Sequence, residues 1–320
     1  MSLKIQKKTI IFLIVLELAL FAIFFSFLPK GVFAGYGTNN VTVITNLTVG
    51  NVFPEMSNMS IEDNASNLVL SPNISKTIYC WGLATDYNGW DDVKFASGVF
   101  FDNASSTYIS GDDNNLHYTN SSCTITQEGT YTDWINCSFD IWYYANPGIW
   151  ICTINVSDSY GKQGAGNDTI NISTLLALGL PDFIYYGLVN ATEVSGENFS
   201  NVSNYGNVKI NLSLSGYGFT ENDGNAMNCT IGASKNISVE LEKYNLTNTN
   251  PGTIDYSQFI ANYTNLTSAP TVKIFNLNYR QNDTVDEAFN STYWRIYVPL
   301  GVAGTCEGNI VFGATVAPGT

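Results

Sequence analysis

The chain has 320 residues, 27 of them acidic against 13 basic, for a formal charge of −14. That balance excludes nucleic acid as a partner, because phosphate recognition needs clustered Lys and Arg. At 45% hydrophobic and 13% aromatic, the chain can bury real cores, so disorder is excluded as well.

Lys4, Lys7 and Lys8 precede an apolar run from Ile10 to Leu28, which leads to Val32-Phe33-Ala34. A basic start, an apolar centre and a Val-x-Ala ending predict a secretory signal, residues 1–34, cleaved after Ala34. The run approaches the ~20 residues that span a bilayer, so an uncleaved N-terminal anchor through residues 10–28 is the alternative. Glu17 inside the run costs about 3 kcal/mol at mid-membrane and weighs against it. Either way the rest of the chain is exported, and membrane contact is expected only through residues 10–28. Residues 1–34 carry four Lys and one Glu (+3), leaving −14 − 3 = −17 beyond them.

Residues 35–52 contain Val41-Thr42-Val43-Ile44-Thr45-Asn46-Leu47-Thr48-Val49, a β-branched strand pattern with no module before it. Such an edge needs a sheet. It either pairs within its own domains or inserts into a neighbouring subunit as a donor strand.

From Phe53 onward, apolar and polar residues alternate with the period that places neighbours on opposite sheet faces. Cys137, Phe139, Ile141 and Tyr143 form one inward set; Trp150, Cys152, Ile154 and Val156 form another. Val208, Ile210, Leu212 and Leu214 oppose Asn211 and Ser213, while Ile237, Val239 and Leu241 oppose Asn236, Ser238 and Glu240. No segment shows helical spacing. Turn signals at Asn88-Gly89, Asp112-Asp113-Asn114-Asn115 and Asn146-Pro147-Gly148 divide the first half into short strands. The pattern predicts an all-β chain: two tandem immunoglobulin-like antiparallel β-sandwiches, at 53–176 and 177–320, after the N-terminal signal or anchor helix. The apolar connector Leu175–Leu180 implies that the two pack together. The second is expected to close on a hairpin of Tyr293–Pro299, a turn at Leu300–Gly304, and Cys306–Val316.

Cys80, Cys123, Cys137, Cys152, Cys229 and Cys306 all lie beyond the signal region, and an even number in an exported chain favours disulfides. Strand parity points all six inward. The four in the first half allow three connectivities. The preferred set is Cys80–Cys152 between sheets, Cys123–Cys137 closing a local hairpin, and Cys229–Cys306 in the second domain.

Two stretches carry a resemblance: Tyr79-Cys80-Trp81-Gly82-Leu83-Ala84-Thr85-Asp86-Tyr87-Asn88-Gly89-Trp90-Asp91-Asp92-Val93 and Trp150-Ile151-Cys152-Thr153-Ile154-Asn155-Val156-Ser157-Asp158. They resemble immunoglobulin-like domains of the PKD and cadherin type, which recur in archaeal cell-surface and S-layer-type glycoproteins. The resemblance spans roughly residues 50–175. It implies a surface β-sandwich and brings no catalytic residue with it.

Asn-x-Ser/Thr, the N-glycosylation acceptor, recurs along the whole chain. The acceptors are Asn40, Asn46, Asn58, Asn64, Asn73, Asn103, Asn120, Asn136, Asn155, Asn167 and Asn171, then Asn190, Asn198, Asn201, Asn211, Asn228, Asn236, Asn245, Asn262, Asn265, Asn282 and Asn290. Composition alone predicts about seven sequons, so the threefold excess points to a sugar-coated extracellular protein.

Asp86, Asn88, Asp91 and Asp92 offer several oxygens within seven residues, as calcium requires, with Asp102, Asp112, Asp113 and Asp158 as further donors; a solvated turn is the alternative. No other cofactor is expected. Trp134, Trp142, Tyr143, Tyr144 and Trp150 cluster around Cys137 and Cys152. Trp150 reads as core, whereas Trp142 and Tyr144 sit on the outward parity and can stack on sugars or anchor an interface. The lone His117 reads as a surface residue, and the carboxylate pairs Asp286-Glu287 and Glu240/Glu242 as solvated charge.

The expected role is a non-catalytic, heavily glycosylated structural protein of a cell-surface coat or appendage. Its partners would be other copies of itself or other surface proteins. An adhesin or carbohydrate-binding protein, with glycans as ligand, and a filament subunit built by donor-strand insertion are the alternatives.

Overall fold

A computed structural model describes residues 42–247, 249–281, 283–284 and 288–318. The signal or anchor segment, the acceptors Asn40 and Asn282, and the pair Asp286-Glu287 lie outside the described residues. No helix among the described residues is long and apolar enough to cross a membrane. Residues 42–50 belong to a separate compact unit and form no strand; Val43, Ile44, Leu47 and Val49 are exposed. The strand expected over 35–52 is not formed in the described residues 42–50. Its alternation of β-branched residues is an intrinsic preference, and strand formation needs a partner edge.

The remainder, from Asn51, is built almost wholly of antiparallel strands. Its first part holds β1 (Glu55–Ile61), β2 (Asn67–Leu68), β3 (Ser75–Thr85), β4 (Val93–Asp102) and β5 (His117–Asn120). β6 (Thr124–Gln127), β7 (Thr132–Trp142), β8 (Gly148–Asp158) and β9 (Gln163–Ile172) follow. They form two facing sheets, in the orders β1-β3-β7-β6 and β2-β9-β8-β4-β5. Alternation decides which faces meet: Ile78, Cys80, Ile135, Cys137 and Ile141 from one sheet pack on Phe100, Trp150, Cys152 and Ile154 from the other. Each such burial contributes roughly 1.5–3 kcal/mol. Trp150 stacks on Phe100 at 4.9 Å and donates its indole N–H to the Asn146 carbonyl at 2.9 Å, so its one polar atom is satisfied. β1 crosses onto β9 at Gly164, where a Cβ would overlap the Pro54 carbonyl.

The second part runs through β10 (Leu178–Gly179), β11 (Asn198–Asn204), β12 (Ile210–Tyr217), β13 (Asn225–Gly232), β14 (Asn236–Ser238) and β15 (Glu242–Asn245). A short helix α1 (Tyr256–Asn262) precedes β16 (Thr264–Asn265), β17 (Thr271–Leu277), β18 (Phe289–Ile296), β19 (Val302–Glu307) and β20 (Asn309–Val316). The sheets are β10-β11-β18-β15-β16, β17-β12-β20 and β14-β13-β19. The expected closing hairpin does not form. β18 pairs with β11 and β15, β19 with β13, and β20 with β12, so the last three strands serve three sheets.

Helix α1 was not expected from the alternation, yet its start is written in the sequence. Asp255 accepts from the Gln258 N–H at 2.8 Å, and the Gln258 side chain accepts from the Asp255 N–H at 3.0 Å. This is a capping box with Asp in the cap position. Phe259 and Tyr263, four residues apart, bury the helix face with Ile254.

The two parts meet through side chains that satisfy buried backbone groups. Asn207, fully buried, donates to the carbonyls of Ala145 and Ser173 at 3.1 Å each and accepts from the Leu175 N–H at 2.7 Å. Asn115 donates to the carbonyls of Tyr144 and Arg280 at 2.9 and 2.8 Å. Tyr279 donates its hydroxyl to Asn146 at 2.7 Å.

Candidate functional site

The acidic loops at one end of the first sandwich bring three carboxylates together. β3 ends at Thr85, and Asp86 is pinned there by its N–H to the Tyr131 carbonyl at 2.8 Å. Gly89, at φ +137°, turns the loop back so that Asp92 approaches the β8–β9 turn. There the Asp92 carboxylate accepts from the Ser159 hydroxyl, and its carbonyl accepts from the Ser159 N–H at 2.9 Å. One ligand oxygen each from Asp86, Asp92 and Asp158 falls within 4.8 Å of the others. At 4.8 Å two like charges repel by about 3.5 kcal/mol for an effective dielectric near 20, so the cluster asks for a cation or a proton.

The sequence-predicted set is therefore rearranged. Asp86 and Asp92 belong to the cluster, and Asp158 joins them from β8, 66 positions further on. Asn88 is spent elsewhere: its side-chain oxygen accepts from the Val52 N–H at 2.7 Å. Asp91 is exposed on the loop surface and is not in the cluster. Asp102 ends β4, whose other end lies beside Asp158, and Asp112 and Asp113 lie near His117; all three are excluded as donors.

Burial and charge act differently on each acid. Burial pushes the Asp86 carboxyl up, opposed by the Asn88 N–H and reinforced by the charges of Asp92 and Asp158. Asp133, on β7 beside this end, is pushed up to about 6 by burial, then by Asp86 and Asp91. Asp158 is held below the ordinary carboxylate range. Burial works against it, but hydrogen bonds from Asn51 and the N–H groups of Lys162 and Tyr160, with the Lys162 charge, prevail. Asp86 Oδ2, both Asp133 oxygens and Asn51 Oδ1 are buried without a hydrogen-bond partner.

The six cysteines are joined as Cys80–Cys152 across the two sheets, Cys123–Cys137 beside β6, and Cys229–Cys306 between β13 and β19. Of the twenty acceptor asparagines among the described residues, twelve are exposed, seven are half-buried and one is buried. The buried one, Asn211, is corrected as a glycan site. A bulge in β17 leaves the Phe275 and Asn276 N–H groups without strand partners, and Asn211 Oδ1 accepts both at 2.9 and 3.1 Å.

Three other expectations are corrected. His117 is buried, stacked on Phe101 with Nδ1 3.2 Å from Asp112, because it opens β5 against β4. Glu242 is buried, since a 3₁₀ turn at Val239–Leu241 breaks the strand phase and turns it inward, where it accepts from Tyr186 at 2.8 Å. Glu240 stays exposed. Tyr144 is buried because the chain turns after Trp142, and the second part covers it: Arg280 lies 5.1 Å over its ring and Asp283 accepts its hydroxyl at 3.1 Å. Tyr143 is buried beside it, and Trp142 keeps an exposed edge, stacked on Tyr144 at 5.8 Å.

One aromatic surface escaped the sequence reading. On the outward face of β3 and β7, Trp81 and Trp134 line a cleft of about 530 Å³ with Asn58, Ser60, Asp63 and Asn64. Trp81 stands opposite Asn136, and Trp134 opposite Leu83, so β3–β7 register alone brings the indoles together. Alternation with the inward Cys80 and Ile135 puts both on the outer face, but the register that joins them is a property of the paired strands.

No protein-family model matches the chain, and no curated protein matches it. Solved structures show loose likeness. A chaperone–tip adhesin complex of CFA/I fimbriae biogenesis is 14% identical at TM-score 0.27, covering 83% of this chain and 85% of that one. The CsuC–CsuE chaperone–tip adhesion subunit pre-assembly complex of Acinetobacter baumannii Csu pili is 9% identical at TM-score 0.33, covering 78% and 96%. BcpA, the major pilin subunit of Bacillus cereus, is 10% identical at TM-score 0.23, covering 70% and 67%. Superpositions this loose carry no argument about function.

Proposed function

We propose that this chain is an exported, N-glycosylated, non-catalytic structural protein of a cell-surface coat or appendage. The observation that carries the reading is the placement of the acceptors. Nineteen of the twenty described sequon asparagines are exposed or half-buried, and all of these but Asn46 lie in the two sandwich parts. Cores cross-linked by three disulfides supply rigidity, and sugars on the outer faces supply hydration to a chain with only 12% charged residues.

Intact-mass and glycopeptide analysis of native material tests this. The expected result is a mass excess lost on chemical deglycosylation, sugar at exposed acceptors such as Asn73, Asn167 and Asn190, and none at Asn211. Native protein at its bare polypeptide mass would refute the reading. Electron microscopy of the native surface then separates a coat from a filament, in which residues 42–49 are the candidate donor strand.

The Trp81–Trp134 cleft favours a second reading, carbohydrate binding. Paired indoles offer flat apolar faces to sugar rings, and Asn58, Ser60, Asp63 and Asn64 surround them with polar groups. Glycan-array binding that disappears in Trp134→Ala would establish it; binding unchanged in that variant would exclude this cleft.

A further inference from the structure

We propose that Asp86, Asp92, Asp158 and Asn51 form a calcium site, and that its occupancy fastens residues 51–54 to the end of the first sandwich. The cluster supplies only hard oxygen donors, which select calcium or magnesium over zinc or copper. Ligand type decides between those two: calcium accepts irregular sets of carboxylate and amide oxygens, whereas magnesium demands near-ideal octahedral geometry and keeps several of its waters. The three carboxylates each offer an oxygen within 4.8 Å of the others, with the Asn51 amide beside Asp158.

A second observation, independent of the acidic count, points to a ligand. Asp86 is fully buried, yet its Oδ2 has no hydrogen-bond partner, and Asn51 Oδ1 is buried and unpartnered beside Asp158. Buried carboxylate oxygens normally find donors. Among the described residues no Lys or Arg forms an ion pair with these acids; Lys162, whose charge acts on Asp158, lies 5.1 Å over the Phe53 ring. Asp133, also buried with both oxygens unpartnered, stands behind Asp86 as a further source of negative field.

The geometry makes the cation a clasp. Asn51 reaches Asp158 at 2.6 Å, the Val52 N–H reaches Asn88 at 2.7 Å, and the Phe53 ring lies under Lys162. Residues 51–53 thus contact both loops that supply the carboxylates. A cation held by Asn51 Oδ1 together with the carboxylates would tie residues 51–53 to both loops. This reading does not depend on glycosylation.

The full exported chain, freed of metal by chelator, is titrated with calcium, magnesium and matched sodium chloride while thermal unfolding and amide exchange are followed. We expect calcium to bind with Kd of about 0.1–1 mM and to raise Tm by about 5 °C at 10 mM. Exchange of the Val52 amide should slow about tenfold, with little response to magnesium or sodium. Asp92→Asn, which keeps an acceptor for Ser159 and removes one of the repelling charges, should lose the shift while its metal-free Tm lies at or above that of the parent. No calcium shift in the parent, an equal shift with sodium chloride, or a shift retained in Asp92→Asn would overturn the site. Calcium binding with unchanged exchange at Val52 would overturn the clasp.

Discussion

Arg295 and Glu197 are joined through one phenol: the Tyr263 hydroxyl accepts from Arg295 Nε at 2.9 Å and donates to the Glu197 carboxylate. Arg295 is fully buried on β18, and its remaining N–H groups donate to the carbonyls of Ser195, Asn250 and Gly252 at 2.5, 2.6 and 2.8 Å. Its charge is therefore met by dipoles and a relayed carboxylate. Tyr263→Phe keeps the ring and deletes the relay, leaving a buried guanidinium N–H without a partner and the Glu197 Oε2 oxygen with the Asn250 N–H alone. Hydrogen bonds to charged groups are worth about 1.5–3 kcal/mol, so a loss of about 2 kcal/mol is expected in urea unfolding at neutral pH. A change below 0.5 kcal/mol would mean that the relay contributes nothing.

Glu242 makes stability depend on pH in a defined direction. Burial raises its carboxyl from 4.5 to about 7, opposed only by the Tyr186 hydroxyl. A raised folded-state value means that the folded chain holds more protons than the unfolded one between those two limits. Stability from this group is complete below pH 4.5, falls as pH rises to about 7, and is flat above. The full span is about 3 kcal/mol by linkage. Glu242→Gln should remove this slope, so its stability relative to the parent rises by about that amount between pH 4.5 and 8. Unfolding curves of both proteins at matched ionic strength check the sign; a parallel pH dependence refutes it.

These two sites mark the limits of what the sequence discloses. Strand parity is a local property, and Cys137, Phe139 and Ile141, or Trp150, Cys152 and Ile154, fall inward as alternation requires. Parity fails where the phase shifts: at the turn after Trp142, which hides Tyr144, and at the Val239–Leu241 turn, which buries Glu242. It is equally silent about a bulge on a neighbouring strand, the reason Asn211 turns from an acceptor into a backbone partner. Two of the three clustered acids were legible because Asp86 and Asp92 share a loop; Asp158 was one of four further donors, and only the β4–β8 pairing singles it out from Asp102, Asp112 and Asp113. The capping box at Asp255 and Gln258 was legible as well, and was masked by the strand period around it.

Asn207 carries a prediction about cooperativity. It satisfies the carbonyls of Ala145 and Ser173 and the N–H of Leu175, all in the strip where the two parts of the chain meet. Asn207→Ala strands three buried backbone groups, at about 1–3 kcal/mol for each that water cannot reach. The parent should unfold in one transition. The variant should show two, one for each part, by differential scanning calorimetry. A single transition merely shifted downward would place the coupling elsewhere, in Asn115 or the Tyr279–Asn146 pair.

The three disulfides should not be equivalent. Cross-linking limits the unfolded chain more as the closed loop lengthens, and the sequence separations are 72 for Cys80–Cys152, 77 for Cys229–Cys306 and 14 for Cys123–Cys137. Loop entropy alone gives about 4.5 kcal/mol for the two long loops and about 3 kcal/mol for the short one. Packing then separates the long pair. Cys80 and Cys152 are fully buried between the two sheets, so replacing both with Ala opens a void in the core of the first sandwich. Cys229 and Cys306 are directly opposed on adjacent strands, where β13–β19 backbone hydrogen bonds persist without the sulfurs. The expected order of destabilisation for double Cys→Ala variants is Cys80/Cys152, then Cys229/Cys306, then Cys123/Cys137. Denaturant midpoints under non-reducing conditions measure it. Finding the short loop the costliest to lose would show that native-state packing around Cys123 outweighs the entropy of the unfolded chain.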